Sequence, residues 1–379
     1  MSDSSISKAL CANNEPVLKI DTIDKLNELL RTAGKHDLAA IRQVNLTYNV
    51  DGDHLDRELE LRTARFLGAL PQLQTLQLGR DDLPTSNAMV QLLQQAITEA
   101  SATSFRELKT TIIQGRDSIP LDEILPLWGL PVEHIEVTVA EPVSWSHKPW
   151  PAPNPSLKKL NLEDSTINHS TVEKLLHLSP CLEVFRYDYY CDVDAHPQQW
   201  PQDSSLLIAA LRQVQSTLSE LNLTTTLTTD SEELTIFPVS GQLGPLQEFS
   251  RLSKLKAPIA TLLGWSPNKL LSLAKVVPPG LTYLGLTECM LLQETSKWHP
   301  NLVLEELAAF LSVWRSVTPD LQVMEVWLVE WRYEDIERTD LQKMCKEAQK
   351  YGLLLKIYLV EERDSNKSWM NFQWARGYS

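Results

Sequence analysis

A short apolar pattern recurs along the chain. It consists of an apolar residue, two intervening residues, a second apolar residue, one more residue and a third apolar residue. Alternate residues of a strand face the same side, so the last two apolar positions of each copy would point into one core. Clear copies begin at Leu73, Leu157, Leu182, Leu218, Leu252 and Leu281, looser copies begin at Ile41, Leu108, Val132 and Leu321, and a final apolar run spans 353–360. The pattern therefore predicts ten or eleven short strands.

The segments between the copies carry apolar residues at helical spacing. The helices predicted in this way cover residues 86–100, 170–178, 204–214, 304–317 and 339–352. The first positions of successive copies lie 24 to 40 residues apart, and the shorter steps match leucine-rich repeats. Strand–helix units of this kind must stack to bury their apolar faces. The predicted fold is α/β, a leucine-rich-repeat-like solenoid (horseshoe) of irregular strand–helix repeats with a parallel sheet on its concave face.

The domain organisation follows from where the repeats begin and where they are interrupted. Residues 1–16 are polar and are predicted to form a disordered N-terminal tail, and residues 17–379 are predicted to form one solenoid of about ten or eleven irregular repeats. Long loops are predicted at 141–156, which contains five prolines, at 188–203 and at 224–247. Such loops either pack over the solenoid turns or carry function.

Composition narrows the classes of function. The chain has 49 acidic and 35 basic residues and a formal net charge of −14, which disfavours nucleic acid and anionic membranes as partners. No apolar run approaches the length of a membrane helix, and the N-terminus lacks the apolar core of a signal peptide. We therefore expect a cytoplasmic or nuclear protein. Five scattered cysteines without a CxxC pair indicate neither a zinc ribbon nor a disulfide framework.

Sequence motifs for catalysis are missing. The chain has no GxSxG nucleophile elbow, no glycine-rich phosphate loop and no HExxH zinc motif. The densest polar cluster contains Asp188, Cys191, Asp192, Asp194 and His196. Such groups can bind a cation, but the glycine-bearing calcium loop is absent, and a solvated loop is the favoured interpretation. We expect no enzyme activity, no cofactor and no metal site.

The strand residues between the apolar positions would face the concave side of the solenoid. This face is polar, of mixed charge and carries aromatic groups, as protein-binding surfaces do. The candidate binding residues are Gln77, Glu136, Asn161, Glu163, Arg186, Asp188, Asn222, Lys256, Tyr283, Glu325 and Trp327.

Four segments give the chain a resemblance to a known family: PSLKKLNLEDSTI, HLSPCLEVFRYDYY, LKAPIATLLGW and VVPPGLTYLGLTEC. Over about residues 100–360 they resemble the fungal F-box and leucine-rich-repeat-like proteins. The resemblance implies a solenoid that recognises a target protein, next to an F-box that holds the adaptor of a cullin-RING ubiquitin ligase. The F-box itself is not recognisable here, and IPLDEILPLWGLP at 119–131 is interpreted as a repeat helix.

Two classes of function stay open at this point. The first is a protein–protein interaction module, either the substrate-recognition part of an F-box-type ubiquitin ligase receptor or a freestanding scaffold. The second is an unrecognised enzyme or ligand-binding protein with its site at the concave face or in the 187–200 loop. Convergence of Asp188, Asp192, Asp194 and His196 in one pocket would favour the second class.

Overall fold

The computed structural model forms two compact units. The first comprises Met1–Ser165 and Leu178–Cys181, and the second comprises Thr166–His177 and Leu182–Ser379. The structure describes residues 17–20, 23–32, 38, 40–46, 63, 66–78, 105–113, 119–141, 150–192, 203–228, 241–264, 271–288, 298–334, 336–360 and 375–378. The predicted N-terminal tail (1–16) and the predicted helix at 86–100 lie outside these residues.

The first unit carries short strands and two described helices. The helices are α1 (Ile23–Thr32) and α2 (Leu121–Ile124), the latter continued by a 3₁₀ turn at Leu125–Gly129. The strands are β1 (Val17–Ile20), β2 (Gln43–Leu46), β3 (Thr75–Leu78), β4 (Thr110–Ile113), β5 (Ile119–Pro120), β6 (His134–Val137), β7 (Val139–Ala140) and β8 (Lys159–Ser165). Strands β1, β2, β3, β4, β6 and β8 pair in parallel in that order, while β5 pairs with β7.

The second unit has longer strands and most of the described helices. Its helices are α3 (His169–His177), α4 (Ser204–Leu211), α5 (Ile259–Leu263), α6 (Leu273–Val276), α7 (Pro300–Val317) and α8 (Arg338–Lys350). Its strands are β9 (Val184–Asp192), β10 (Glu220–Thr228), β11 (Lys254–Pro258), β12 (Tyr283–Thr287), β13 (Val323–Val329), β14 (Leu354–Val360) and β15 (Ala375–Tyr378). Strands β9 to β14 pair in parallel in chain order, and β15 runs antiparallel to β14.

The α/β class with mostly parallel sheets is therefore confirmed, and neither described sheet closes into a barrel. Every copy of the apolar pattern coincides with a strand that contains its last two apolar positions, and those positions are buried. Leu221 and Leu255, for example, are paired neighbours with no exposed surface. The first apolar residue of each copy, such as Leu218, is buried just before its strand. The apolar pattern thus identifies the residues that each of these strands buries in the core.

The predicted helices agree with the structure wherever it describes them. α3, α4 and α8 lie within two residues of the predicted starts, and α7 begins four residues earlier than predicted, at Pro300. Proline is favoured in the first turn because the N–H that it lacks has no intrahelical partner there. None of the described helices is long and apolar enough to cross a lipid bilayer.

The structure differs from the sequence-based expectation at two of the predicted loops. β9 continues through Asp188 to Asp192, and β10 continues through Thr224 to Thr228, so the first five residues of each predicted loop are strand. The two strands pair over all nine residues. The Thr-rich end of β10 has the β-branched composition that suits a strand, and pairing with β9 extends both strands beyond the apolar pattern.

The described end of the proline-rich segment 141–156 is held by a single buried side chain. Asn154 Nδ2 donates to the carbonyl oxygen of Leu130 at 2.8 Å, and Asn154 Oδ1 accepts from the backbone N–H of Ser156 at 3.0 Å. The Asn154 backbone N–H donates to the carbonyl oxygen of Leu178 at 2.7 Å. These bonds replace the regular pairing that the prolines prevent.

We expect Asn154→Ala to lower the free energy of unfolding by about 1–3 kcal/mol, because part-buried backbone groups of Leu130 and Ser156 lose their partners. Asn154→Asp keeps the acceptor but loses the donor, so it should also destabilise the protein. Urea denaturation measures both variants against the exposed-site control Asn301→Ala. Equal stability of Asn154→Ala and the control would show that the side chain does not hold this segment.

Candidate functional site

Three of the four candidate residues of the first unit form a small acidic cluster, and the fourth lies apart from it. Asn161 Nδ2 donates to Glu136 Oε2 at 3.1 Å and to Glu163 Oε1 at 3.0 Å. One buried amide thus holds two carboxylates together. Gln77 lies in the same register row but is separated from Glu136 by Ile112 of β4. The structure therefore groups three of these four residues.

The candidate residues of the second unit lie on the side of its sheet that faces away from the buried apolar positions. Parallel register arranges these side chains in rows that run across the strands. The middle row is Arg186, Asn222, Lys256, Gly285, Glu325 and Lys356. The flanking positions include Glu220, Lys254 and Tyr283 on one side, and Asp188, Thr224, Trp327 and Tyr358 on the other. We call this set the β9–β14 face.

Glu325 is the centre of a hydrogen-bond network on this face. Its Oε2 accepts from the Tyr283 hydroxyl at 2.9 Å, and its Oε1 accepts from Lys356 Nζ at 3.0 Å. The Tyr358 hydroxyl lies 3.4 Å from the same Oε1. Two strands, β12 and β14, thereby contribute three donors to one carboxylate on β13, which orders the two aromatic rings and the lysine.

The network also changes the acidity of its members. Burial and the hydrogen bond to Glu325 raise the pKa of Tyr283 well above its ordinary value. The hydrogen bond to Glu325 raises the pKa of the Lys356 ammonium. Tyr283 therefore stays protonated and Lys356 stays charged at neutral pH, so the network holds as a set of donors around one carboxylate.

A second feature of the face depends on a glycine. Lys256 Nζ lies 4.4 Å from the centre of the Trp327 ring, and Trp327 stacks on Tyr358 with 5.4 Å between the ring centres. Lys256 is on β11 and Trp327 on β13, so the lysine stem crosses Gly285 of β12. A Cβ at position 285 would lie 2.9 Å from Lys256 Cγ and 3.1 Å from the Tyr283 hydroxyl. The glycine thus leaves the space in which the cation reaches the indole.

Glu220 organises the other end of the face. Arg186 donates to Glu220 Oε1 through Nη2 at 2.7 Å and through Nε at 3.1 Å. Lys254 Nζ lies 3.6 Å from the other carboxylate oxygen of Glu220. Two cations from the neighbouring strands are therefore positioned by one carboxylate.

Two further candidate residues lie beside these networks. Asp188 is half-buried and pairs in register with Thr224. Asn222 lies in register between Arg186 and Lys256, and its Oδ1 is buried without a hydrogen-bond partner among the described residues.

We expect Gly285→Ala to displace the Lys256 stem and to lower the free energy of unfolding by about 1–3 kcal/mol, the usual range for overpacking. The matched control is Gly129→Ala, where an added Cβ would meet nothing within 4 Å. Thermal unfolding of the two variants makes the comparison. If they are equally stable, the contact between Gly285 and Lys256 does not constrain the face.

Several members of the face were not among the candidates from the sequence. Lys356 and Tyr358 lie in the final apolar run, and aligning Leu355 and Ile357 with Met324 and Val326 would have placed Lys356 beside Glu325. The apolar pattern places Gly285 in the middle row, but it does not predict that the missing side chain leaves space for Lys256. Glu220 and Lys254 precede the last two apolar positions of their copies, and nothing in the pattern marks them as ion-pair partners.

The alternative site at the 187–200 loop is only partly described. Asp194 and His196 lie outside the described residues, and Asp188 lies on β9. Two described cavities do not include Asp188: a groove of about 800 Å³ between α7 and α8, and a space of about 20 Å³ beside His169 and Tyr187. No group of three or more potential metal ligands occurs among the described residues.

A buried ionic cluster lies at the ends of β12 and β13. Glu288 Oε1 accepts from Arg332 Nη1 at 2.5 Å and from the Tyr333 hydroxyl at 2.7 Å. Glu288 Oε2 accepts from the backbone N–H of Val329 at 2.8 Å, and Arg332 Nη2 donates to the carbonyl oxygen of Trp298 at 2.5 Å. Burial raises the pKa of Glu288 to about 7 even though Arg332 lowers it. These partners all belong to the chain itself, which is typical of a structural cluster.

The cluster should make stability depend on pH. The pKa of Glu288 is about 7 in the folded protein against an ordinary value of 4.5, so between these values the folded state holds a proton that the unfolded chain has released. Raising the pH through this range therefore lowers the free energy of unfolding, by about 1.4 kcal/mol for each pKa unit of difference. Glu288→Gln removes this contribution.

As the pH rises from 5 to 8, the free energy of unfolding of wild type should fall through Glu288, whereas that of Glu288→Gln should not. We therefore expect the free energy of unfolding of the variant to increase relative to that of wild type over this range. Urea denaturation at several pH values measures the difference, and the exposed Glu347→Gln variant should show no such trend. A trend in the opposite direction would mean that the effect of Arg332 on the pKa of Glu288 is larger than the effect of burial, so that the pKa is lowered in the folded protein.

Comparisons with known proteins found a structural likeness but no family. No model of a protein family matches the sequence, and no curated protein is similar to it. Among solved structures, the chain is similar to a protein from Bacteroides fragilis at 15% identity and a TM-score of 0.31. The match covers 58% of this chain and 62% of that protein, so the chain spans less than two thirds of its length.

Proposed function

We propose that this chain is a protein-recognition module and that the β9–β14 face is its binding surface. The observation that carries the proposal is the ordered group of Lys256, Trp327 and Tyr358, in which a cation lies over one of two stacked rings. Tryptophan, tyrosine and arginine are enriched among the residues that dominate binding energy at protein interfaces. The face combines such residues with charged groups.

Preorganisation supports the same function. Tyr283, Lys356 and Tyr358 are held by Glu325, and Arg186 is held by Glu220, before any partner arrives. Ordering flexible side chains costs about 0.5–1.5 kcal/mol for each one that binding immobilises. A surface on which these side chains are already ordered avoids part of that cost.

The middle row places positive charge on both sides of Asn222. Asn222 lies between the two cationic positions Arg186 and Lys256 in register. A partner segment on this row would therefore meet positive charge at both positions.

We further propose that the strand–helix units stack as a leucine-rich-repeat-like solenoid. The parallel pairing of β9 to β14 in chain order supports this proposal, since each strand pairs with the next one along the chain. The resemblance to the fungal F-box and leucine-rich-repeat-like proteins adds a ligase role to the proposal: the module would be a substrate receptor that works with a cullin-ligase adaptor. A freestanding scaffold is the other form of the same function.

The experiment is affinity capture from a lysate of the native host, with bound proteins identified by mass spectrometry. The test variant carries Arg186→Ala, Lys256→Ala and Trp327→Ala. The matched control carries Arg251→Ala, Lys346→Ala and Tyr351→Ala, three exposed residues outside the face. We expect one or more proteins to be retained by wild type and the control, and to be reduced at least about tenfold with the test variant, since each lost anchor weakens binding.

The outcomes separate the two forms of the proposal. Recovery of a cullin-ligase adaptor together with a face-dependent protein would support the receptor form, and a face-dependent protein without adaptor would support the scaffold form. Proteins that are lost with the control triple would place binding at another surface. Retention that is the same for all three chains would overturn the proposed function.

A further inference from the structure

The charges of the β9–β14 face differ in how far they extend into solvent. Four basic side chains and three carboxylates lie on this face, so their numbers alone do not show which sign of charge a partner would meet. Lys254, Arg186 and Lys356 are 58%, 41% and 34% exposed, whereas the carboxylate side chains of Glu220 and Glu325 are 19% and 16% exposed. The carboxylates are recessed and the cations project. An approaching partner therefore meets positive charge first.

The recessed carboxylates are also engaged within the chain. Glu220 binds Arg186 and Lys254, and Glu325 binds Tyr283 and Lys356. Their charge is offset by these donors, which keep further hydrogen-bonding capacity on their outer sides because an ammonium has three donors and a guanidinium has five. The face can therefore offer donors to acceptors of a partner without giving up its own network.

The projecting cations of this face contrast with the charge of the whole chain. The protein carries a formal net charge of −14, so the chain as a whole repels an acidic partner. Attraction restricted to one patch steers such a partner to that patch and disfavours other orientations. The aromatic pair Trp327 and Tyr358 borders the same patch and provides apolar area beside the cations.

We propose that the partner segment recognised by the β9–β14 face is acidic: an extended stretch of protein rich in Asp and Glu, with apolar residues against Trp327 and Tyr358. Its carboxylates would bind Lys254, Arg186 and Lys256. This inference rests on the proposed function and specifies the chemistry of the partner.

The test uses two pools of fluorescein-labelled 12-residue peptides. Half of the positions are Asp or Glu in the first pool and Lys or Arg in the second, and the other positions are randomised identically. Retention by the full-length chain is measured at low and at raised NaCl. We expect the acidic pool to be retained in preference to the basic pool, and retention to fall with salt because surface charges are screened.

Substitutions on the face locate the binding. Lys256→Met keeps most of the stem beside Gly285 and removes the charge, so it should weaken retention of the acidic pool up to about fivefold. Lys254→Met combined with Lys256→Met should weaken it further, and Trp327→Ala should reduce it independently of salt. Lys346→Met, the same change at an exposed position of α8, should leave retention unchanged.

Circular dichroism and thermal unfolding of each variant separate lost binding from lost fold. Equal retention of the two pools, preference for the basic pool, or acidic binding that Lys256→Met and Trp327→Ala leave unchanged would each overturn the inference. If Trp327→Ala still abolishes capture of a lysate protein in those cases, the proposed function stands and only the acidic specificity fails. If neither peptides nor lysate proteins depend on the face, both fail.

Discussion

Parallel backbone pairing in one register is the constraint on which the second unit depends. Each strand from β9 to β14 must place its apolar residues towards the core, and a shift of one residue would turn every side chain to the opposite side of the sheet. Leu221, Leu255, Leu284 and Met324 therefore line up across four strands, all of them without exposed surface. The same register leaves no freedom in the arrangement of the opposite face.

The β9–β14 face is a consequence of that constraint. Residues distant in sequence, such as Glu325 and Lys356, become neighbours because their strands are ordered and aligned by the core. Glycine at 285 then has a role that its own strand does not require: it leaves room for a side chain from the strand before it. The polar and aromatic groups of the face thus come from different strands, although these strands share the same alternating apolar pattern.

The cluster around Glu288 shows a different use of charge. On the face, carboxylates remain at the edge of solvent and position cations for contact with a partner. At the ends of β12 and β13, Glu288 is buried and binds Arg332, Tyr333 and a backbone N–H. Removing one partner of such a pair leaves a buried charge uncompensated, which costs about 3–5 kcal/mol. The cluster therefore ties the segments after the two strands to one arrangement.

The sequence by itself determined the α/β class, the helices α3, α4, α7 and α8, and the eleven strands that carry the apolar pattern, because alternation and helical spacing are local consequences of burying apolar side chains. It did not predict β1, β5, β7 or β15. It also identified Lys256, Glu325 and Trp327 as surface positions. It could not determine that Lys256 crosses Gly285 to reach Trp327, that Lys356 joins Glu325, or that Glu288 meets Arg332. Only the tertiary structure decided these contacts, since they join residues 31 to 71 positions apart, and the register that brings such residues together is set by the whole core.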